Sequence, residues 1–192
     1  NPDGSFELNV AKKTSIPLTV SAIGYYSVTL TDYLDKKPLT VYLVPKVYEL
    51  NEVSVGGKSL ARQRKANLTL FKDEFLGVTA NAQNCLILNE PDITFNYASD
   101  KDTLKAFASK PLNIENRALG YKITYYLDKF EYIRSTKSFF FKGNMIFTED
   151  LNKGDDQEKV FSRKRKFAYL GSRMHFFRAL WYNDLKSTGF SI

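Results

Sequence analysis

Residues 1–55 alternate apolar and polar side chains with a period of two, in short runs parted by turn residues. That pattern commits this part of the chain to small antiparallel strands. Asp3-Gly4 precedes Phe6-Glu7-Leu8-Asn9-Val10, in which Phe6, Leu8 and Val10 share a face. Leu18–Ser21, Ile23–Tyr26, Val28–Leu30 and Leu39–Leu43 follow as strand candidates, and Pro45 closes the set. Strands this short need at least one more strand to bury their apolar faces. The expectation is a partial β-sandwich over residues 1–56 whose opening strands lie ahead of Asn1.

Gly56-Gly57-Lys58-Ser59 holds the only adjacent glycine pair and reads as a linker to a second domain over residues 57–192. Leu60, Leu68, Phe71, Phe75 and Leu76 then fall at helical spacing, with Gly77 at the left-handed cap position. Arg62–Lys65 is charged on all sides, so the helix is expected to be firm only from Asn67. Period two returns at Cys85. Strands are predicted at Leu86–Leu88, Ile93–Tyr97, Leu104–Ala108, Leu112–Ile114 and Tyr121–Tyr132, the last becoming irregular after Leu127. Phe139-Phe140-Phe141 and Met145-Ile146-Phe147 flank Lys142-Gly143-Asn144, which reads as a hairpin because glycine can adopt positive φ.

Asp155 or Asp156 is placed to cap a helix through Val160, Phe161, Phe167 and Tyr169, ended by Gly171. Ser172 then caps a second helix carrying the stripe Phe176, Phe177, Leu180, Trp181 and Leu185, and Gly189–Ile192 reads as the entry to a strand. The predicted fold class is α+β, mainly β. A partial β-sandwich is followed by an antiparallel sheet domain with one helix before it and two after it.

The chain of 192 residues carries 28 Lys and Arg against 21 Asp and Glu, a net charge of +7. Such a balance permits attraction to nucleic acid, anionic lipid or polyanionic glycans and dictates none of them. The 15 Phe and 12 Tyr fall mostly within alternating runs, so they are assigned to sheet and core packing. A single cysteine, Cys85, excludes an internal disulfide and a cysteine-based zinc site. No run approaches the ~20 apolar residues of a membrane helix.

Asp3-Gly4-Ser5-Phe6-Glu7-Leu8, then Leu18–Tyr25, then Leu39-Thr40-Val41-Tyr42-Leu43, with Leu50–Val55 at the end, stand in a recognisable order. The segment resembles the carboxypeptidase regulatory-like domain, a transthyretin-like β-sandwich. Despite its name, that domain carries no peptidase chemistry. Such domains stand at the front of TonB-dependent outer-membrane receptors and of other cell-envelope proteins. The resemblance covers about 55 residues. Phe75-Leu76-Gly77, Asn116–Tyr121 and Gly171–Leu180 are also similar to stretches of envelope proteins that carry it.

No catalytic set emerges from the residues. His175 is the only histidine, and acyl-transfer chemistry needs a nucleophile and an orienting carboxylate beside it; a structural role is expected. Cys85, between apolar neighbours, is expected to be an inert thiol. Asp73-Glu74, Asp100/Asp102, Glu149-Asp150 and Asp155-Asp156 are sequence neighbours, not carboxylates facing one another across ~5–9 Å as glycoside hydrolysis requires. Asn67-Leu68-Thr69 fits the glycosylation pattern, a single match of the kind chance supplies.

Arg163-Lys164-Arg165-Lys166 is the sharpest charge feature. Consecutive helical residues lie ~100° apart, so at most two or three can share a face. Together with Arg173 and Arg178 they are the candidate anion-binding residues. No catalytic residue, metal ligand or cofactor is assigned, and no nucleic-acid motif is present.

The expectation is a non-enzymatic structural or interaction module of the periplasm or outer membrane of a Gram-negative bacterium, binding a protein partner or a surface glycan. Any membrane association would fall to segments outside this chain. Two alternatives stay open: an enzyme degrading an envelope polymer with carboxylates drawn from separate strands, and a basic anion-binding module.

Overall fold

A computed structural model describes residues 3–9, 17–34, 38–46, 57–98, 100–149 and 154–191. The protein is α+β, mainly β, with all strand pairs antiparallel. In the first region β1 (Leu18–Val20) pairs with β2 (Val28–Leu30), and the Thr19 and Thr29 hydroxyls meet across the pair at 3.2 Å. Tyr25 bridges to Pro45. The strands expected at Phe6–Val10 and Leu39–Leu43 do not form ladders: residues 6–9 and 39–43 have no strand partner among the described residues, and Val10 lies outside them. Among the described residues their alternation meets no further strand of the first region. The end of the resemblance, Leu50–Val55, also lies outside the described residues.

Helix α1 (Gly57–Leu76) includes Gly57, Lys58 and Ser59, so the expected linker is helical from Gly57 on. It is also helical through Arg62–Lys65, earlier than its apolar spacing suggested. The reason is tertiary. Arg64 donates to the Ile93 carbonyl at 2.8 Å and to the Glu90 carbonyl at 3.0 Å, and Lys72 meets Glu90 at 2.8 Å. Arg64, which looks unanchored in the chain, fastens the first half of this helix. Gly77 does take positive φ at its end, as its position implied.

A short helix α2 (Ala80–Gln83), capped by the Thr79 hydroxyl, leads into a six-stranded sheet. Its members are β3 (Cys85–Ile87), β4 (Ile93–Tyr97), β5 (Thr103–Ala108), β6 (Leu112–Asn116), β7 (Tyr121–Ile133) and β8 (Ser138–Thr148). The six run as four long lines. Cys85–Ile87 lies opposite Asn116–Ile114, and Ile93–Tyr97 opposite Ala108–Leu104, with one continuous register. β3 and β4 are therefore two halves of one line interrupted at residues 88–92, and β5 and β6 halves of the next, interrupted at 109–111. Leu88 N–H donates to the Asn113 carbonyl and Ser109 N–H to the Asp92 carbonyl, closing the ladder on either side of the crease.

β7 is paired along one edge by β6 and β5 and along the other by β8. Leu127 faces Gly143 and Lys129 faces Lys142, so Asp128 is a bulged residue. The bulge explains the irregular alternation after Leu127: Tyr125 and Leu127 point inward before it, Phe130 and Tyr132 after it, and all four are buried. Without the extra residue one half of β7 would turn its apolar side chains to the wrong face.

The core lies between this inner face and α1. Phe71 is fully buried, with its ring 5.0 Å from Phe75, 6.1 Å from Phe95 and 4.7 Å from Phe130. Phe75 reaches Tyr125 at 4.9 Å and Phe141 at 5.2 Å. Edge-to-face arrangements at these separations are favoured beyond the area they bury.

β8 corrects the expected hairpin. Lys142-Gly143-Asn144 is mid-strand, and Gly143 does not adopt positive φ. Its missing side chain serves close approach instead: a Cβ there would stand 2.5 Å from Cε1 of the Tyr125 ring and would also strike the Tyr126 carbonyl. The two runs expected to form a hairpin are thus one strand, and the sheet has six.

Two helices follow, as expected: α3 (Asp155–Tyr169) and α4 (Arg173–Trp181). Gly154, not an aspartate, occupies the first cap, and Asp155 and Asp156 sit in the first turn. Their charge is favourable at a helix N-terminus. Ser172 caps α4, its hydroxyl accepting from His175 N–H at 3.2 Å. Residues 189–191 do not enter a strand; Phe190 packs on His175 and Phe176 instead.

Candidate functional site

The basic residues of α3 and α4 divide by environment. Arg165 is drawn inward, its side chain only 13% exposed. It donates to the Leu119 carbonyl at 2.8 Å, to Glu149 at 2.6 Å and to Glu158 at 3.1 Å, and its guanidinium stacks 4.4 Å from the Tyr121 ring centre. An arginine so occupied is a clamp holding α3 to the β6–β7 turn. Phe161 completes that joint. It packs so closely on Gly120 that a Cβ there would lie 2.7 Å from its Cε2.

Arg163 and Lys166, by contrast, line one open groove together with Lys159 and Glu158. Lys164 and Arg173 are exposed, and Arg178 lies over the Tyr169 ring at 5.5 Å. The six candidates therefore do not converge: two share a groove, and Arg165 is committed elsewhere.

His175 is buried, with Nδ1 accepting from Gly171 N–H at 3.1 Å and its ring 4.9 Å from both Tyr169 and Phe190. Those contacts join α3, α4 and the segment after α4. Of the stripe on α4, Phe177, Leu180 and Trp181 are exposed and Phe176 is half-buried against Phe190, while His175 and Ala179 are buried. Leu185 lies beyond the helix. Cys85 faces Asn116 across the ladder; burial pushes its thiol pKa up, and Sγ donates to the Asn81 carbonyl at 3.5 Å. Asn67 is buried in α1 and accepts from the Tyr97 hydroxyl at 2.7 Å, so this Asn-x-Thr match lies in the packed interior.

The carboxylate pairs are local. Asp100 accepts from the backbone N–H of Asp102 and Thr103, which hold its carboxyl pKa below the ordinary value. Asp102 accepts from Ser135 N–H at 3.0 Å and from its hydroxyl at 2.6 Å. Glu149 pairs with Arg165, and Asp156 with Lys159 at 3.4 Å; Asp150 lies outside the described residues. Among the described residues no three His, Cys, Asp or Glu side chains gather as metal ligands. No described helix is long and apolar enough to cross a membrane.

Asp128 is the acid that the sequence reading passed over. Its carboxylate accepts from Ser27 N–H at 3.3 Å and from the Ser27 hydroxyl at 3.2 Å, and it lies 3.4 Å from Lys46 Nζ. Lys46 also donates to the Leu127 carbonyl at 2.8 Å. Asn144 donates to the Ser27 hydroxyl at 2.6 Å and accepts from Thr29 at 2.6 Å. This network fixes the first region onto the outer face of β7 and β8. A cavity of about 230 Å³ opens beside it, lined by Ser21, Tyr25, Ser27, Lys46, Lys110 and Tyr126. A second, of about 260 Å³, is lined by Tyr26, Asn96, Phe107, Asp128 and Glu131. Its two carboxylates are each ion-paired, Asp128 with Lys46 and Glu131 with Lys129 at 3.0 Å.

A further surface feature is the outer edge of β8. Among the described residues β7 is the only strand paired with it. Phe139, Phe140, Phe141, Met145, Ile146 and Phe147 are all exposed, on both faces of the strand. The aromatic and apolar runs that signal this edge are plain in the sequence; reading Gly143 as a turn hid them.

Searches against family models, curated proteins and solved structures find no match to this chain.

Proposed function

We propose that this chain is a non-enzymatic interaction module of the bacterial cell envelope that binds a protein partner by accepting a strand on the outer edge of β8. Support for the mode of binding is β8 itself. Eleven residues long, it carries one charge, no proline and no bulge of its own, and leaves six large apolar side chains exposed. Edge strands in self-sufficient domains are ordinarily short, charged, bulged or covered, because unpaired N–H and C=O groups invite another strand. The envelope setting, periplasmic or at the outer membrane, is supported by the resemblance of residues 1–55 to the carboxypeptidase regulatory-like domain.

The test is amide hydrogen exchange on the full chain, at low concentration, with a short peptide alternating valine and threonine. Alternate amides of Ser138–Thr148 are expected to gain protection, and an N-methylated version of the peptide is expected to give none. Absence of protection anywhere in β8 at saturating peptide defeats the proposal.

A second reading has one observation behind it. The cavity holding Tyr26, Phe107, Asn96 and Glu131 combines rings with polar groups, the composition that suits a sugar. Loss of binding to an envelope polysaccharide in Tyr26→Ala, with β8 exchange unchanged, would favour it.

A further inference from the structure

β8 has the same order of polar and large apolar positions read in either direction. About Gly143, Lys142 mirrors Asn144, Phe141 mirrors Met145, Phe140 mirrors Ile146, Phe139 mirrors Phe147 and Ser138 mirrors Thr148. We infer that the occupant of this edge is a second copy of the same chain, its β8 running antiparallel to the first about a two-fold axis at Gly143. The inference rests on the reading of β8 as a strand acceptor and names its partner.

Three features select this partner and register. An antiparallel ladder on one edge uses only alternate residues, so opposed residues must be an even number apart and lie on the same face. Pairing about Gly143 satisfies this: Phe141 meets the second copy's Met145, and Phe139 its Phe147, on the face toward α1; Phe140 meets Ile146 on the other. The only charged residue, Lys142, then lies opposite Asn144, so the two lysines never oppose each other. The neighbouring registers meet the spacing condition but fail on the pairs they make. Centring on Lys142 sets two like charges against each other and Phe140 against Asn144. Centring on Asn144 sets Lys142 against Ile146 and Phe140 against Thr148. Cross-strand pairs of aromatic and apolar side chains stabilise a sheet, and like charges directly opposite destabilise it. The contact is isologous, so it closes at two copies and does not propagate into a fibre.

Phe140 and Ile146 supply the test, because they are exposed, face each other across the axis and lie outside the core. Wild-type chain is expected to sediment at twice the monomer mass. Phe140→Lys with Ile146→Lys, and separately Phe140→Glu with Ile146→Glu, are each expected to sediment as monomers. Mixing the two variants is expected to restore the doubled mass. A wild-type chain that stays monomeric to its solubility limit overturns the inference, as does a double-lysine variant that remains dimeric or a mixture that does not associate. Should a variant fail to fold by circular dichroism, the wild type decides alone. Protection of alternate β8 amides that rises with chain concentration supports the dimer, and concentration-independent exchange overturns it. A monomeric chain whose β8 is still protected by the valine–threonine peptide defeats self-pairing only; one that is not protected defeats strand acceptance as well.

Discussion

Lys46 Nζ lies 3.4 Å from the carboxylate of Asp128, joining the last described residue of the first region to the residue by which β7 is out of step. The side chains are 11% and 4% exposed, so neither charge can fall back on bulk water if the other is removed. Asp128→Ala is expected to cost about 3 kcal/mol, the range for breaking a buried pair. Lys46→Met combined with Asp128→Leu should cost clearly less than the sum of the single changes. Urea unfolding of the four proteins measures the cycle; additive losses would show that the two charges do not stabilise one another.

Gly143→Ala is expected to destabilise by about 1–3 kcal/mol, because the new methyl group enters space held by the Tyr125 ring and the Tyr126 carbonyl. A turn glycine would behave differently, since its cost comes from backbone conformation. The double variant Gly143→Ala with Tyr125→Leu tests this: making room at the ring should recover part of the loss.

Arg165→Ala is expected to lower stability by about 2 kcal/mol, since it strips hydrogen bonds from Glu149, Glu158 and the Leu119 carbonyl and removes the stack on Tyr121. Arg163→Ala, on the open groove, should stay within about 0.5 kcal/mol of the parent. Thermal unfolding of both separates the clamp from the surface. Equal melting temperatures would contradict it.

Burial, reinforced by the nearby Asp128 charge, pushes the Tyr125 hydroxyl up to about 12 from its ordinary value of 10.0. Between those values the unfolded chain has released a proton that the folded chain keeps. Stability therefore falls as pH rises from 10 toward 12 and is indifferent to this group below 10. Tyr125→Phe should flatten that part of the stability profile. An unchanged slope in the variant would refute the assignment.

Much of the sheet was legible because β5, β6 and the first half of β7 alternate and each buries one face. The stumble after Leu127 was legible too, though only the ladder reveals that Asp128 is the extra residue. Gly143 was misread because a glycine needed for close approach looks, in one dimension, like a glycine needed for a turn. The start of α1 was misread because Arg64 earns its place through carbonyls almost thirty residues away. The basic run at 163–166 was visible, but its division into a clamp and a groove depends on which side of α3 meets the β6–β7 turn. The Lys46–Asp128 pair spans 82 positions and belongs to no motif, so nothing local announces it.

The matched interruptions at 88–92 and 109–111 make segment length a shared property of two separate stretches of chain. Removing one residue from 88–92 alone would turn Cys85-Leu86-Ile87 inside out, sending Ile87 to water and bringing Leu86 under α1. Deleting one from each would keep β3 opposite β6 but slide β6 by one along β7, turning Leu112 and Ile114 away from the core. Both lengths are therefore held fixed, because a single continuous strand, β7, reads β5 and β6 alike.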